Sequence, residues 1–195
     1  SAATREDFRR WLRANYHNDE AALQTAWQDK TIRFDTVEVP SPAERKATER
    51  GIFRDPVRAR KVLDFRNYMN DTTFDIVRRS MDAVKAACGG RKIASTYYGY
   101  PLLFAGKGET LHKGGLTTLG KVMRLDSLDM MGTPVDYVNR RGGEPGMNIN
   151  GFAGSARLHR KIIWREEDLR THFWPRFEFG RTSNTHESVG VITRD

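Results

Sequence analysis

Three short apolar runs constrain the fold more than any other feature. They are RKIASTYYGYP at residues 91–101, LDMMGTP at 128–134 and KIIWREE at 161–167. Each has the length of a strand. The first two stop at a proline and the third runs into acids. Between them lie stretches whose apolar residues recur at helical spacing, so the order reads helix, strand, helix, strand, helix, strand, helix. Strands that alternate with helices pair in parallel as βαβ units, which predicts an α/β fold.

The helical stretches carry their own start and stop signals. In TREDFRRWLRANY, Thr4 stands as a cap, and Phe8, Leu12 and Tyr16 form one stripe with Trp11 beside them. DEAALQTAWQD follows, begun by Asn18 or Asp19, with Leu23 and Trp27 facing inward. TIRFDTVEVP, residues 31–40, alternates like an extended segment, and SPAERKATERG reads as a surface turn of helix. A long helix is predicted from Asp55 to Cys88, with Val62, Phe65, Met69, Ile76, Met81, Val84 and Cys88 on its inner face. Pro56 sits in its first turn and Gly89-Gly90 at its end. GGLTTLGKVMR and FAGSARLHR are the helices before the second and third strands, NRRGGEPGMNING is a loop, and TSNTHESVGVITRD opens a last helix.

Composition narrows the function classes. The 195 residues are 38% hydrophobic and 30% charged, which suits a folded chain rather than a disordered one. A net charge of +8 and a pI of about 9.8 admit an anionic partner. The basic residues are interspersed with acids, however, as in REDFRR and WREEDLR, and this describes a mixed solvated surface. A single cysteine, Cys88, excludes an internal disulfide. No apolar run reaches the roughly 18 residues of a membrane span, and no signal peptide is visible. The chain opens with Ser1, which is the expectation for a processed product or an internal piece. The histidines lack metal-ligand spacing, G-x-S-x-G and H-E-x-x-H are absent, and GKGETLHKGG lacks the Ser or Thr of a P-loop. The RGG in NRRGGEPG is a weak RNA signal inside a glycine-rich loop.

In parallel α/β folds, sites gather at the carboxyl ends of the strands. Those ends here hold Tyr97, Tyr98, Pro134, Tyr137, Glu166, Glu167 and Asp168. A carboxylate there can act as nucleophile or as general acid/base, or it can cap the next segment. Arg170 can keep such a carboxylate ionised, or form a surface pair of little worth. The tyrosines can stack on the apolar C–H faces of a sugar, or pack in the core.

A family resemblance bears on these alternatives. FRRWLRANYHNDEAALQTAWQD followed by VEVPSP resembles the F-x-x-W-L-x-x-x-Y, D-E-x-x-L-x-x-A-W and P segments of glycoside hydrolase family 42, the β-galactosidase-like barrels. GGLTTLGKVMRLDSLDMMGTPVDYVNRRGG resembles that family's stretch around the sixth strand. ARLHRKIIWREEDLRTHF resembles the seventh, where relatives read L-H-G-K-L-W-x-x-E-D-D-T-R-T. The resemblance implies a TIM (β/α)8 barrel, of which this chain covers about strands five to seven. Residues 1–28 would be the helices after strand four, 29–90 an excursion and the long helix, and 91–195 strands five to seven with their helices.

The resemblance also implies a retaining glycosidase without cofactor or metal, acting on a carbohydrate, with Glu166 as nucleophile. Tyr98, Tyr137, Asp168 and Arg170 would contact the substrate or position Glu166. The family's acid/base lies in an Asn-Glu pair just before the F-x-x-W-L helix, and no Asn-Glu pair occurs in these 195 residues. The chain alone is therefore expected to be an inactive part of a larger barrel. Family members often form trimers, and some bind zinc through cysteines, for which a lone Cys88 does not suffice. Departures from the pattern are Arg160 in place of a glycine, Arg165 before Glu166, Leu169 in place of a threonine, and a partial match of NRRGGEPG to D-R-G-L-G-G. Two other readings are a non-catalytic carbohydrate-binding barrel and a basic nucleic-acid-binding domain. The interspersed acids argue against the latter, and nothing points to a membrane partner.

Overall fold

The computed structural model describes residues 1–48, 53–98, 115–133 and 152–165. It divides into two units, Ser1–Ile76 with Phe104–Thr118, and Val77–Leu103 with Leu119–Asp195. The first is helical, and the second holds a three-stranded parallel sheet.

The helical unit begins with α1 (Ala2–Asn15), whose cap is Ser1 rather than Thr4: the Ser1 hydroxyl accepts from the Thr4 backbone N–H at 3.2 Å. Asp19 caps α2 (Glu20–Trp27) in the same way, accepting from Ala22 N–H at 3.0 Å. The alternating segment expected to be extended instead forms a 3-10 turn at Phe34–Thr36. That turn buries both Phe34 and Val37, three residues apart, which an extended strand would send to opposite faces. Helix α3 (Pro42–Lys46) starts with a capping box in which Ser41 and Glu44 each satisfy the other's backbone N–H. A hydrogen bond from Lys61, aided by the Ser41 N–H, holds the Glu44 carboxyl down at about 2.

Helix α4 (Arg60–Ala87) starts later than expected. Residues 55–59 form a turn, closed by the Asp55 carboxylate accepting from the N–H groups of Val57 and Arg58. The core of the unit is Phe8, Leu12, Tyr16, Leu23, Phe34, Val37, Phe65 and Tyr68. Phe8 meets Phe65 edge-on at 5.1 Å between ring centres. The inner face of α4 differs from the apolar pattern. Ile76 and Val84 are exposed, while Asp64 is fully buried and Asn70 nearly so.

Asp64 is buried because three groups answer it. Tyr16 Oη donates to its Oδ2 at 2.5 Å and Trp27 Nε1 donates to the same oxygen at 2.8 Å. Arg60 Nε lies 2.9 Å from Oδ1 without hydrogen-bond alignment, so that contact is an ion pair. Burial first, then the Asp64 carboxylate, pushes the Tyr16 hydroxyl up to about 12. Two further ties join α1 to α4, Trp11 Nε1 to Asp71 and Tyr68 Oη to Asp7, each at 3.0 Å. Each buried aromatic handle thus finds a carboxylate on the facing helix.

In the second unit, α5 (Leu119–Met123) precedes β2 and α6 (Ala153–Leu158) precedes β3. Strands β1 (Ser95–Tyr97), β2 (Met130–Thr133) and β3 (Ile162–Arg165) lie side by side in that order, all parallel. At their amino ends Asp129 accepts from Lys85 on α4 and from Ala94 N–H. The Lys85 hydrogen bond leads in holding the Asp129 carboxyl below the usual range. Lys161 Nζ donates to the carbonyls of Leu125 and Leu128, each at 2.7 Å. These polar ties fix the amino ends of the strands and leave the carboxyl ends for other work.

Helices α4 and α6 end in the same motif. Gly90 N–H reaches Lys85 C=O behind Gly89 at φ +58°, and Lys161 N–H reaches Ala156 C=O behind Arg160 at φ +56°. Glycine adopts that left-handed conformation freely, whereas a Cβ makes it cost about 1–2 kcal/mol. Arg160→Gly is therefore expected to raise stability by about 1 kcal/mol in urea denaturation, after the added freedom of the unfolded glycine is deducted. An unchanged or lowered midpoint would show that the arginine side chain offsets its backbone strain.

Candidate active site

The parallel register places Tyr97, Gly132 and Trp164 in one row across the three strands. Side chains alternate between the two faces of a sheet, so Ser95, Tyr97, Met130, Gly132, Ile162 and Trp164 share a face. Two contacts bear this out. The Tyr97 and Trp164 rings meet edge to face at 5.0 Å, and Trp164 Nε1 donates to Ser95 Oγ at 2.7 Å. This face is open, with Tyr97 43% and Ile162 55% exposed. The opposite face carries the buried Met131 and Thr133, in a unit whose other buried side chains include Val122, Met123, Leu128 and Ala156.

Gly132 is what lets the two rings approach. A Cβ built there would stand 2.8 Å from Tyr97 Cδ1 and 2.9 Å from Trp164 Cζ2, closer than real contacts allow. Gly132→Ala must push the rings apart, at an expected cost of about 1–3 kcal/mol. The check is the tryptophan near-UV dichroism together with the denaturation midpoint, and an unchanged signal would contradict the close packing.

The result is an aromatic wall near the carboxyl ends of three parallel strands. Tyr97, one of the strand-end tyrosines marked in the sequence, forms half of it. Trp164 was legible only as part of an apolar strand, since nothing in KIIW distinguishes an inward from an outward tryptophan. Tyr98 is 1% exposed and belongs to the core of its unit. The other candidate residues, Tyr137, Glu166, Asp168 and Arg170, lie outside the described residues, as do Glu167 and the loop and tail segments that flank them. Described strand β3 ends at Arg165, and Glu166 follows it directly in the sequence. Among the described residues no cluster of His, Cys, Asp and Glu could hold a metal ion, and no helix is long and apolar enough to cross a membrane.

Comparison with known families gives one finding. The model of glycoside hydrolase family 42, described as beta-galactosidase, matches residues 1–108, more than half of the chain. The match takes in α1 to α4 and β1 and ends before β2. No curated protein and no solved structure gives a match.

Proposed function

From the premise that the chain belongs to the beta-galactosidase family, glycoside hydrolase family 42, we propose that it supplies part of the active site of a retaining, β-galactosidase-like glycosidase. Its three strands would be the fifth to seventh of a (β/α)8 barrel, residues 1–28 the helices after strand four, and 29–90 an excursion with the long helix. Support comes from the strand order. Consecutive parallel strands are neighbours, as a barrel demands, and one sheet face is left apolar and open. In a closed barrel that face lines the interior.

The observation that carries the site is the Tyr97–Trp164 pair on that face. The reading requires Glu166 to follow Trp164 at the strand's period of two, which brings a carboxylate up beside an aromatic wall suited to the apolar face of a galactoside. Glu166 would attack the anomeric carbon as the bond to the leaving oxygen breaks, giving a glycosyl-enzyme ester. A second carboxyl, about 5–5.5 Å away, would protonate that oxygen and then take a proton from the water that cleaves the ester. No Asn-Glu pair is present among the 195 residues, so this acid/base is assigned to a part of the barrel outside them. Tyr137, Asp168 and Arg170 are assigned to substrate or to holding Glu166 ionised. Tyr98, being buried, is assigned to the support of the β1 strand end.

Covalent trapping tests the assignment. A 2-deoxy-2-fluorogalactoside with a good leaving group slows the second step more than the first. In the protein as encoded it should add one fluorosugar to the peptide containing Glu166. A label on another carboxylate would reassign the nucleophile. Binding of galactosides without label or hydrolysis would favour the non-catalytic carbohydrate-binding barrel.

A further inference from the structure

The open face of the sheet holds a polar tie to which the glycosidase reading assigns no role. Trp164 Nε1 donates to Ser95 Oγ at 2.7 Å, and that bond reaches from β3 to β1 over the intervening strand. Neighbouring strands lie about 4.8 Å apart, so the indole meets Ser95 only by lying down across β2. Gly132 clears its path: a Cβ there would stand 2.9 Å from Trp164 Cζ2. The Tyr97 ring, two residues beyond Ser95 on the same face, meets the indole at an angle of 63°. A ring laid over a glycine presents its outer face away from the sheet.

Apolar packing alone does not fix which way round the ring lies. The last torsion of an aromatic side chain is broad and roughly two-fold, and both Gly132 and the Tyr97 ring offer the indole only carbon. The hydrogen bond separates the two orientations, because an indole has one donor and no acceptor. Among the described residues, Ser95 Oγ is the acceptor of that donor. With Nε1–H occupied, the ring offers a sugar carbon alone, a surface for C–H groups rather than for hydroxyls. We propose that Ser95 is a positioning residue of the glycosidase, which acts through Trp164 to set the orientation of the aromatic wall and hence the affinity for a galactoside. This role rests on the reading of that face as the interior of a closed barrel, where a hydrogen bond is stronger than in open water. Ser95 touches Trp164 and no reacting atom. Its loss should weaken binding of substrate and transition state alike, and so appear in KM rather than in kcat.

The test is steady-state hydrolysis of an aryl β-galactoside by the protein as encoded and by its variants. Ser95→Ala should raise KM about 3–10-fold, the worth of one neutral hydrogen bond, with kcat changed by less than about twofold. A near-normal kcat shows at once that the variant is folded. Ser95→Thr keeps the hydroxyl and suits a strand, and it should recover most of the affinity. In a Trp164→Phe background the ring has no donor, so Ser95→Ala should have no further effect. Hydrolysis with an unchanged KM in Ser95→Ala would overturn the role of Ser95 and leave the glycosidase reading standing. So would an equal rise of KM in the Trp164→Phe background, or a loss confined to kcat. No hydrolysis by the unaltered protein would instead remove the glycosidase reading itself, and the role of Ser95 with it.

Discussion

Glu166→Gln is expected to lower kcat by at least about 10³-fold in the protein as encoded, with little change in KM for a galactoside. The amide is nearly isosteric with the carboxylate and keeps hydrogen-bonding capacity, but it cannot attack the anomeric carbon. Losing the nucleophile removes the whole double-displacement route, where losing a group that only positions it costs far less. Glu167→Gln, one position on, should cost no more than about tenfold if Glu166 holds the role. Glu166→Gly in the presence of azide provides a product test. Azide entering through the vacated space attacks the face the carboxylate used, so the product is the α-galactosyl azide. Unchanged turnover in Glu166→Gln, or full dependence on Glu167, would remove the assignment.

Asp64→Ala is expected to destabilise the helical unit by about 2–4 kcal/mol, because it leaves the Tyr16 and Trp27 donors without their acceptor, while half-exposed Arg60 can turn to water. Urea denaturation followed by tryptophan fluorescence is a suitable measure, because Trp27 reports the lost bond. A loss below about 1 kcal/mol would mean that water replaces the carboxylate, and the cluster would then be far less closed than its burial indicates. The same cluster sets an alkaline signature. With its hydroxyl raised from 10.0 to about 12, Tyr16 keeps its proton in the folded chain after the unfolded chain has lost it. Stability from this source is complete below pH 10 and declines as pH rises from about 10 through 12. Tyr16→Phe should remove that decline and the last tyrosinate absorbance step.

Helices and strands were largely legible in the sequence because local signals agreed with tertiary packing. Phe8, Leu12 and Tyr16 fell on one buried stripe, Asp19 capped α2, and Gly89 closed α4, each as its spacing or conformation requires. The three strands appeared where apolar runs met turn signals. What was not legible depended on partners distant in sequence. Ile76 and Val84 fit the helical period as well as Phe65 does, yet they are exposed, while Asp64 is buried. Hydropathy cannot register that a carboxylate 48 residues from a tyrosine will be hydrogen-bonded by it. The 3-10 turn was missed because TIRFDTVEVP alternates, and only the joint burial of Phe34 and Val37 shows the turn. At the candidate site the tyrosines of β1 were visible as a class, but which one faces outward follows from register with Gly132 and Trp164, a property of the sheet. The acids after β3 stand out at a strand end, but such a run also reads as a cap, and only the resemblance points to Glu166 as nucleophile.

The F-x-x-W-L-x-x-x-Y and A-W signatures acquire a shared meaning from a single oxygen. Tyr16, at the end of α1, and Trp27, at the end of α2, donate to the same Asp64 Oδ2, so loss of that one carboxylate strands both donors at once. Trading Asp64 for hydrocarbon therefore calls for changes at Tyr16 and Trp27 as well, because each donor left behind would lose its acceptor.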